Sequence, residues 1–399
     1  MFRDRFPVAS ATEPSRDDPA EPDASRSVIY VINTLSRGGA EHGLATLLEN
    51  GFLRDCNLIV FVFSRGDGVL RQRIVDLVGE KRLVEVTPGA RLTLAGMLRG
   101  VVELARLIRR VRPKVVILSL KQANIVGRSV LMFNRRVRCV AFEHIARLER
   151  QPSVHLYRFV LRALSFRVDE VWADCPTTLR RTRSHYPWPR PRREKVVPLF
   201  IASSTPVKRD YRIDGVVQLV MAGRLIRRKR FDVAIDALAE LKARGIDARC
   251  TIFGTGPAGA AILARAEAAN VAERLCLAGF VDRWWRDALQ HDIFLQTSEE
   301  EGFCLVAAEA MMVGLPMITT VVGGLNDYST DDVNAVHVPI GRPEALSEAV
   351  RQLAGDEARR RRLGQTAAAD IAAGYSVQAA QRVYREIGAG LFAPAPLRI

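Results

Sequence analysis

Glu301 and Glu309, with seven residues between them, are the two acids best placed to grip a hydroxyl-bearing ligand. They lie within Gln296–Gly324, QTSEEEGFCLVAAEAMMVGLPMITTVVGG. Glu301 precedes the turn Gly302-Phe303-Cys304, and a helix is expected to start near Leu305. Gly302 lets a backbone approach a ligand closely. A helix start offers free N–H groups and the positive end of its dipole, which suit a phosphate. A carboxylate at Glu309, just inside that helix, can accept hydrogen bonds from two adjacent ribose hydroxyls, and Glu301 can meet the hydroxyls of a sugar. Two isolated acids at such a place would also serve as capping or solvated charges.

A second set of groups suits a diphosphate. In Ala222–Asp232, AGRLIRRKRFD, Gly223 allows a tight turn after a strand, and Arg224 and Lys229 follow it. Two cations at a strand-to-helix turn would neutralise charge growing on a departing diphosphate. Taken alone, the segment also reads as a solvated basic turn. Phe253–Pro257, FGTGP, again follows a strand, and Gly254 and Gly256 permit close backbone approach. It is not the dinucleotide G-x-G-x-x-G fingerprint, because Gly259 falls at the wrong offset.

These groups need elements to hold them. Ser27–Asn33, Leu58–Phe63, Leu83–Val86, Val115–Leu120, Val137–Phe142 and Glu170–Ala173 read as strands, with helical spacing over Ala40–Leu53, Val69–Val78 and Leu92–Val111. Residues 184–206 contain five prolines and read as a linker. Alternation then restarts, with strands expected at Val216–Ala222, Ala248–Phe253, Leu275–Leu277, Ile293–Gln296 and Met317–Thr320. Helices are expected between them at Arg230–Arg244, Ala258–Ala269 and Leu305–Val313, with a last one at Glu344–Leu353. The pattern predicts an α/β fold of two doubly wound domains, with parallel sheets and a ligand in the cleft at the carboxyl ends of the strands. The expected boundaries are a disordered tail at 1–26, a first domain at 27–200 and a second at 201–380. A helix or tail at 381–399 is expected to return to the first domain.

Taken together and in order, the motifs resemble one family. The segments SRGGAEHGLATL (Ser36–Leu47), AGRLIRRK, FGTGP and EGFCLVAAEAMMVGLPMITTVVGG match the retaining, nucleotide-sugar-dependent glycosyltransferases of group 1 (family 4). These have the GT-B fold of two Rossmann-like domains facing across a cleft, and a Glu-x7-Glu motif. The resemblance runs from about Val28 to Tyr384. It implies that Arg224 and Lys229 bind the diphosphate of a UDP- or GDP-sugar, with Gly223, Gly254 and Gly256 shaping their loops. It implies that Glu309 holds the ribose and Glu301 the sugar, and that the backbone of Gly302, Phe303, Cys304, Leu305 and Val306 faces the sugar and the β-phosphate. Gly38 and Gly39 would face the donor from the first domain, and His144, in AFEHIA, would lie near the transferred sugar. Arg224, Lys229, Glu301 and His144 are then the catalytic set. No metal and no cofactor are expected, and His42, His155, His185, His291 and His337 show no ligand spacing. The sequence departs from the family at Phe200, where an Asn is common, and at Asn334-Ala335, where Asn-Gly is common. After Gly323-Gly324 the nearest acid is Asp327.

Charge bears on the acceptor. The net charge is +15. Residues 27–200 hold 31 basic and 14 acidic residues, whereas residues 201–399 hold 24 of each. An excess confined to one domain implies a polyanionic partner for it, although a GC-rich genome would also favour the Arg-over-Lys bias. Arg106, Arg109, Arg110 and Arg112 sit at one helix end, Arg135, Arg136 and Arg138 follow apolar Val130–Phe133, and Leu156–Phe166 mixes aromatic, aliphatic and Arg residues. The expected partners are a glycan or lipid-linked acceptor and an anionic membrane surface, with the protein peripheral on the cytoplasmic face of the plasma membrane. The first 26 residues lack the apolar stretch of a secretory signal, and the six cysteines form no C-x-x-C pair. A sugar-nucleotide epimerase or a phosphorylase on the same fold stays open. Nucleic-acid binding is disfavoured because the basic segments lack aromatic platforms and no known DNA- or RNA-binding motif is present.

Overall fold

The computed structural model describes residues 23–36, 38–66, 70–89, 93–144, 159–185, 193–203 and 205–393. Residues 1–22 of the expected tail, and Leu156–Arg158, lie outside them. Seven parallel strands form the first sheet: β1 (Asp23–Thr34), β2 (Cys56–Ser64), β3 (Leu83–Thr87), β4 (Val115–Ser119), β5 (Arg138–Glu143), β6 (Glu170–Ala173) and β7 (Arg193–Val196). Their spatial order is β3-β2-β1-β4-β5-β6-β7. Six parallel strands form the second: β8 (Val217–Ala222), β9 (Ala248–Phe253), β10 (Leu275–Gly279), β11 (Ile293–Gln296), β12 (Met317–Thr319) and β13 (Val336–His337), ordered β10-β9-β8-β11-β12-β13. Strand order reverses between β1 and β4 and again between β8 and β11. Loops leaving the two strands at such a point diverge and open a crevice at their carboxyl ends.

Both faces of each sheet are covered, which explains the near-continuous apolar strands. Along β1, Val28, Tyr30 and Ile32 face one core cluster while Ile29 and Val31 face another, the period of two that a pleated strand imposes. In the second domain, Leu219 and Met221 face one cluster and Val220 and Ala222 the other. The chain crosses back at its end: Ala380, Tyr384, Ile387 and Leu391, on the helix Val377–Phe392, pack into the first domain's core. Tyr384 Oη donates to the Pro198 carbonyl at 2.6 Å, and Arg138 Nη1 donates to the Gly390 carbonyl at 2.8 Å.

The structure differs from the sequence reading at several elements. β1 starts at Asp23, so residues 23–26 are strand rather than tail. Inside the proline-rich stretch read as linker, Arg193–Val196 pairs with β6 and completes the sheet. A helix over Lys121–Val130 follows β4. The helix Glu357–Gly374 is capped by Asp356, which accepts from Arg359 N at 2.8 Å. No helix among the described residues is long and apolar enough to cross a membrane.

Candidate functional site

The crevice between β8 and β11 is walled by the turn after each strand. After β8, the Gly223 N–H donates to the Phe253 carbonyl at 2.9 Å, with φ 140 at Gly223. Gly254 has φ 144, and a Cβ there would lie 1.9 Å from the Gly223 carbonyl oxygen; one on Gly256 would lie 2.4 Å from that of Leu225. The backbone that these two glycines approach is therefore the neighbouring loop, and both act by placing Gly223–Leu225. Lys229 closes the short turn Arg227–Lys229, and its side chain runs back past Gly223, with Cε 3.5 Å from where a Cβ on Gly223 would stand. Arg224 is exposed.

After β11 the chain carries Glu301 to meet this wall. Lys229 Nζ donates to Glu301 Oε1 at 2.6 Å. Gln296 Nε2 at 2.7 Å and Ser298 Oγ at 2.6 Å donate to the same oxygen. Thr297 Oγ1 ties the two walls by donating to the carbonyls of Lys229 and Arg230 at 2.9 Å each. Burial works against the Lys229 ammonium, but the adjacent Glu301 carboxylate outweighs it and holds the lysine above its ordinary pKa. A cation that stays charged in a partly dry crevice suits a diphosphate.

The loop after Glu301 is fixed from below. Cys304 stands in the left-handed region, with φ 69, immediately before the helix Leu305–Met312, which no side chain caps. The Gly324 N–H donates to the Gly302 carbonyl at 2.6 Å. A Cβ on Gly323 would lie 2.3 Å from the carbonyl oxygens of both Glu301 and Gly302. Tyr328 Oη donates to the carbonyls of Phe303 and Cys304 at 3.0 Å each. Phe200 stacks on Phe303 with ring centroids 6.0 Å apart and lies edge-on to Tyr375. The departure at position 200 thus adds an aromatic plug where the chain crosses between domains. Burial pushes the Cys304 thiol far above its ordinary range, so it is no nucleophile at neutral pH. At the other departure, Asn334 closes a loop by accepting from Thr330 N at 2.7 Å.

Glu309 sits one helical turn further on. Trp284 Nε1 donates to its Oε2 at 2.8 Å, and burial raises the Glu309 carboxyl to about 7. Trp284 was not singled out from sequence. It lies in a segment with no motif, and only its buried ring, packed on Phe253 and Phe294, brings it here.

The first domain meets the loop directly. A Cβ on Gly302 would lie 2.1 Å from the His144 carbonyl oxygen and 3.1 Å from Asp174 Oδ2. His144 is buried, its Nε2 is 2.8 Å from Ser119 Oγ, and its Nδ1 has no partner among the described residues. Burial drives the imidazole down to about 3, so it stays neutral at physiological pH. Asp174, also missed from sequence, is buried just past β6, and burial lifts its carboxyl to about 7. A Cβ on Gly39 would lie 3.9 Å from Leu305 Cδ1, and the Glu41 carboxylate fills the space beside Gly38. The structure thus joins Gly223, Lys229, Glu301, Gly302 and His144 in one chain of contacts, with Gly39 over the helix start. Among the described residues, neither the Arg224 nor the Glu309 side chain forms a hydrogen bond to that chain; Arg224 is exposed and Glu309 is held by Trp284. Among the described residues, no group of three His, Cys, Asp or Glu side chains could hold a metal ion.

Residues 207–370 match the model of the family Glycosyl transferases group 1. An alpha-D-kanosaminyltransferase of Streptomyces kanamyceticus is 28% identical over 193 residues, 47% of this chain and 50% of that protein. A GDP-mannose-dependent alpha-(1-6)-phosphatidylinositol dimannoside mannosyltransferase of Mycobacterium tuberculosis is 35% identical over 149 residues, 37% of this chain and 38% of that protein. The chain thus spans half or less of the length of these curated relatives. The crystal structure of Anabaena Alr3699/HepE in complex with UDP superposes with a TM-score of 0.72 at 18% identity, over 92% of this chain and 99% of that one. The fold is GT-B, two parallel α/β domains, and the match to the group 1 glycosyl transferases falls within the second.

Proposed function

We propose that the chain is a retaining glycosyltransferase that moves a sugar from a nucleotide-sugar donor to an acceptor hydroxyl. The observation that carries this reading is the contact of Lys229 with Glu301 across the β8/β11 crevice, roofed by His144 against Gly302. It puts a cation, a hydroxyl-accepting carboxylate and the backbone carbonyl of His144 around one loop. The family match over 207–370 and the carbohydrate transfer named for the relatives support it.

In this reading the diphosphate lies against Lys229, Arg224 and the start of the helix Leu305–Met312. As the bond from sugar to phosphate lengthens, these groups stabilise the charge developing on the leaving phosphate. Glu309 accepts the ribose hydroxyls, and Glu301 and His144 orient the sugar. The acceptor hydroxyl attacks from the face that the phosphate leaves, and its proton passes to that phosphate. No side chain need act as nucleophile, so catalysis is positioning and charge stabilisation. The UDP named for the Anabaena structure and the GDP-mannose named for the mycobacterial relative bracket the donors to test.

The acceptor in this reading is a lipid-linked glycan met at an anionic bilayer. On the helix Leu94–Val111, Leu94, Leu98 and Val102 are exposed at intervals of four residues, one stripe of the helix surface. Arg106, Arg109 and Arg110 on its last turns are exposed too. Phe133 is 93% exposed beside exposed Arg135 and Arg136, and Phe159 and Phe166 are exposed around Arg162. Exposed apolar groups flanked by Arg match a surface that dips into a bilayer while its cations meet lipid phosphates. Incubation with UDP-, GDP- and ADP-sugars and a lipid-linked acceptor, followed by product analysis, tests the reading. Transfer with retained anomeric configuration supports it; inverted product, or release of a sugar isomer or sugar phosphate, contradicts it.

A further inference from the structure

A carboxylate of the second domain ties it to the first. Asp327 lies on the short helix Leu325–Tyr328 of the second domain, almost fully buried. Its Oδ2 accepts from the Thr177 backbone N–H at 2.8 Å, and its Oδ1 from Thr177 Oγ1 at 2.8 Å and from Arg180 Nη2 at 3.0 Å. Thr177 is the second residue of the first domain's helix Pro176–His185. N–H groups in a first turn have no acceptor within their own helix, and an acid there also meets the positive dipole end. Such a cap normally comes from the residue just before the helix; here it comes from 150 residues away. In the other direction, Asp174 of the first domain packs against the loop itself, its Oδ2 3.1 Å from where a Cβ on Gly302 would stand.

The segment carrying Asp327 is itself fastened to the loop that bears the candidate site. Gly324 holds the Gly302 carbonyl, and Tyr328 holds those of Phe303 and Cys304. From Thr177 to Asp327, one residue on to Tyr328 and three back to Gly324, and on to Gly302–Cys304, every link is a hydrogen bond or a single short helix. We propose that Asp327 is a positioning residue: it makes the geometry of the Glu301–Cys304 loop depend on docking of the first domain. The site is then complete only when the domains are together. Its consequence for turnover rests on the transferase reading above; the coupling itself does not.

The test uses the full chain with Asp327→Ala, Asp327→Asn, Thr177→Val and the double variant Asp327→Ala/Thr177→Val. Thr177→Val keeps side-chain shape and carries the test if Asp327→Ala fails to fold. Hydrogen exchange is read without ligand over 176–185 and 301–304. The expected result is that Thr177→Val, a change in the other domain, speeds exchange at 301–304, and that Asp327→Ala speeds it roughly tenfold, the worth of one charge-assisted hydrogen bond. Asp327→Asn, which keeps an accepting oxygen, gives a smaller change, and the double variant is far from additive. Exchange at 301–304 left unchanged by both single variants, or changes confined to 176–185, overturns the proposal. A second readout separates coupling from simple destabilisation. The nucleotide sugar that wild type binds is titrated and turned over, with kcat expected to fall about tenfold or more in Asp327→Ala while donor Kd stays within about twofold. Loss of donor affinity equal to the loss of kcat overturns it. If wild type binds no UDP-, GDP- or ADP-sugar, the transferase reading fails, and the exchange data alone decide the coupling.

Discussion

Lys229 and Glu301, 72 residues apart in sequence, close the β8/β11 crevice with a hydrogen-bonded ion pair of 2.6 Å. The pair is unequal in its supports. Glu301 Oε1 also receives Gln296 and Ser298, whereas Lys229 relies on Glu301 to stay charged under burial. Without a ligand, the carboxylate thus keeps the cation in place for an incoming anion.

The asymmetry sets the outcome of two substitutions. In Lys229→Met, Glu301 keeps its two neutral donors, so the fold survives while nucleotide diphosphate affinity falls roughly 10- to 100-fold. In Glu301→Ala, Lys229 is left half-buried without its counter-ion, and thermal stability drops, on the order of 3 kcal/mol at most given its partial exposure. Calorimetry and nucleotide titration read the two separately. Equal loss of stability in both variants would refute the asymmetry.

Glu309 makes donor affinity depend on pH. Burial raises its carboxyl to about 7, and ribose hydroxyls donate to the ionised form. Donor binding should therefore strengthen from pH 6 to pH 8 and level off above, with proton release on binding, and Glu309→Gln should flatten the profile. The same raised pKa means that the folded chain holds a proton that the unfolded chain has released between the ordinary carboxylate range and pH 7. Its contribution to stability is then present at low pH and lost as pH rises through about 7. Wild type minus Glu309→Gln in chemical denaturation at pH 5 and pH 8 checks this sign.

Gly254→Ala should unfold the loop that carries Arg224 and Lys229. The new Cβ would stand 1.9 Å from the Gly223 carbonyl oxygen at a φ that L residues rarely adopt. Backbone must move, at about 1–3 kcal/mol or more. Gly388, where nothing lies within 4 Å of a Cβ, is the control site. A Gly254→Ala variant with wild-type melting temperature and donor affinity would contradict the packing described.

Membrane docking should respond to both halves of the Leu94–Val111 surface. Arg109→Ser and Arg110→Ser should each weaken binding to vesicles of phosphatidylglycerol by roughly fivefold at low salt, about 1 kcal/mol per charge, and the loss should shrink as salt rises. Leu98→Ser should weaken it independently of salt. Sedimentation with neutral phosphatidylcholine vesicles as comparison separates the two. No binding of wild type to either vesicle would end the membrane reading.

What the sequence made legible was local. Glu301, Gly302 and the helix start at Leu305 are neighbours in the chain, and strand-to-helix alternation exposed most of both sheets. What it hid was set by partners far away. Arg193–Val196 is a strand because β6 offers it an unpaired edge, which neighbouring prolines obscure. Lys121–Val130 is hard to read because its buried face includes two polar residues, Asn124 and Arg128, joined by a hydrogen bond. Gly254 and Gly256 look like ligand-facing glycines until Gly223 and Leu225 are seen against them. Trp284, Asp174 and the cap by Asp327 depend on burial and domain contact, which leave no spacing signature.

The most direct measurement is calorimetric titration of UDP-, GDP- and ADP-sugars into wild type, Lys229→Ala and Glu309→Ala. The account expects one nucleotide class to bind wild type, with affinity lost in Glu309→Ala and strongly weakened in Lys229→Ala while both variants keep the wild-type fold. No binding by wild type, or undiminished affinity in the folded variants, would contradict it.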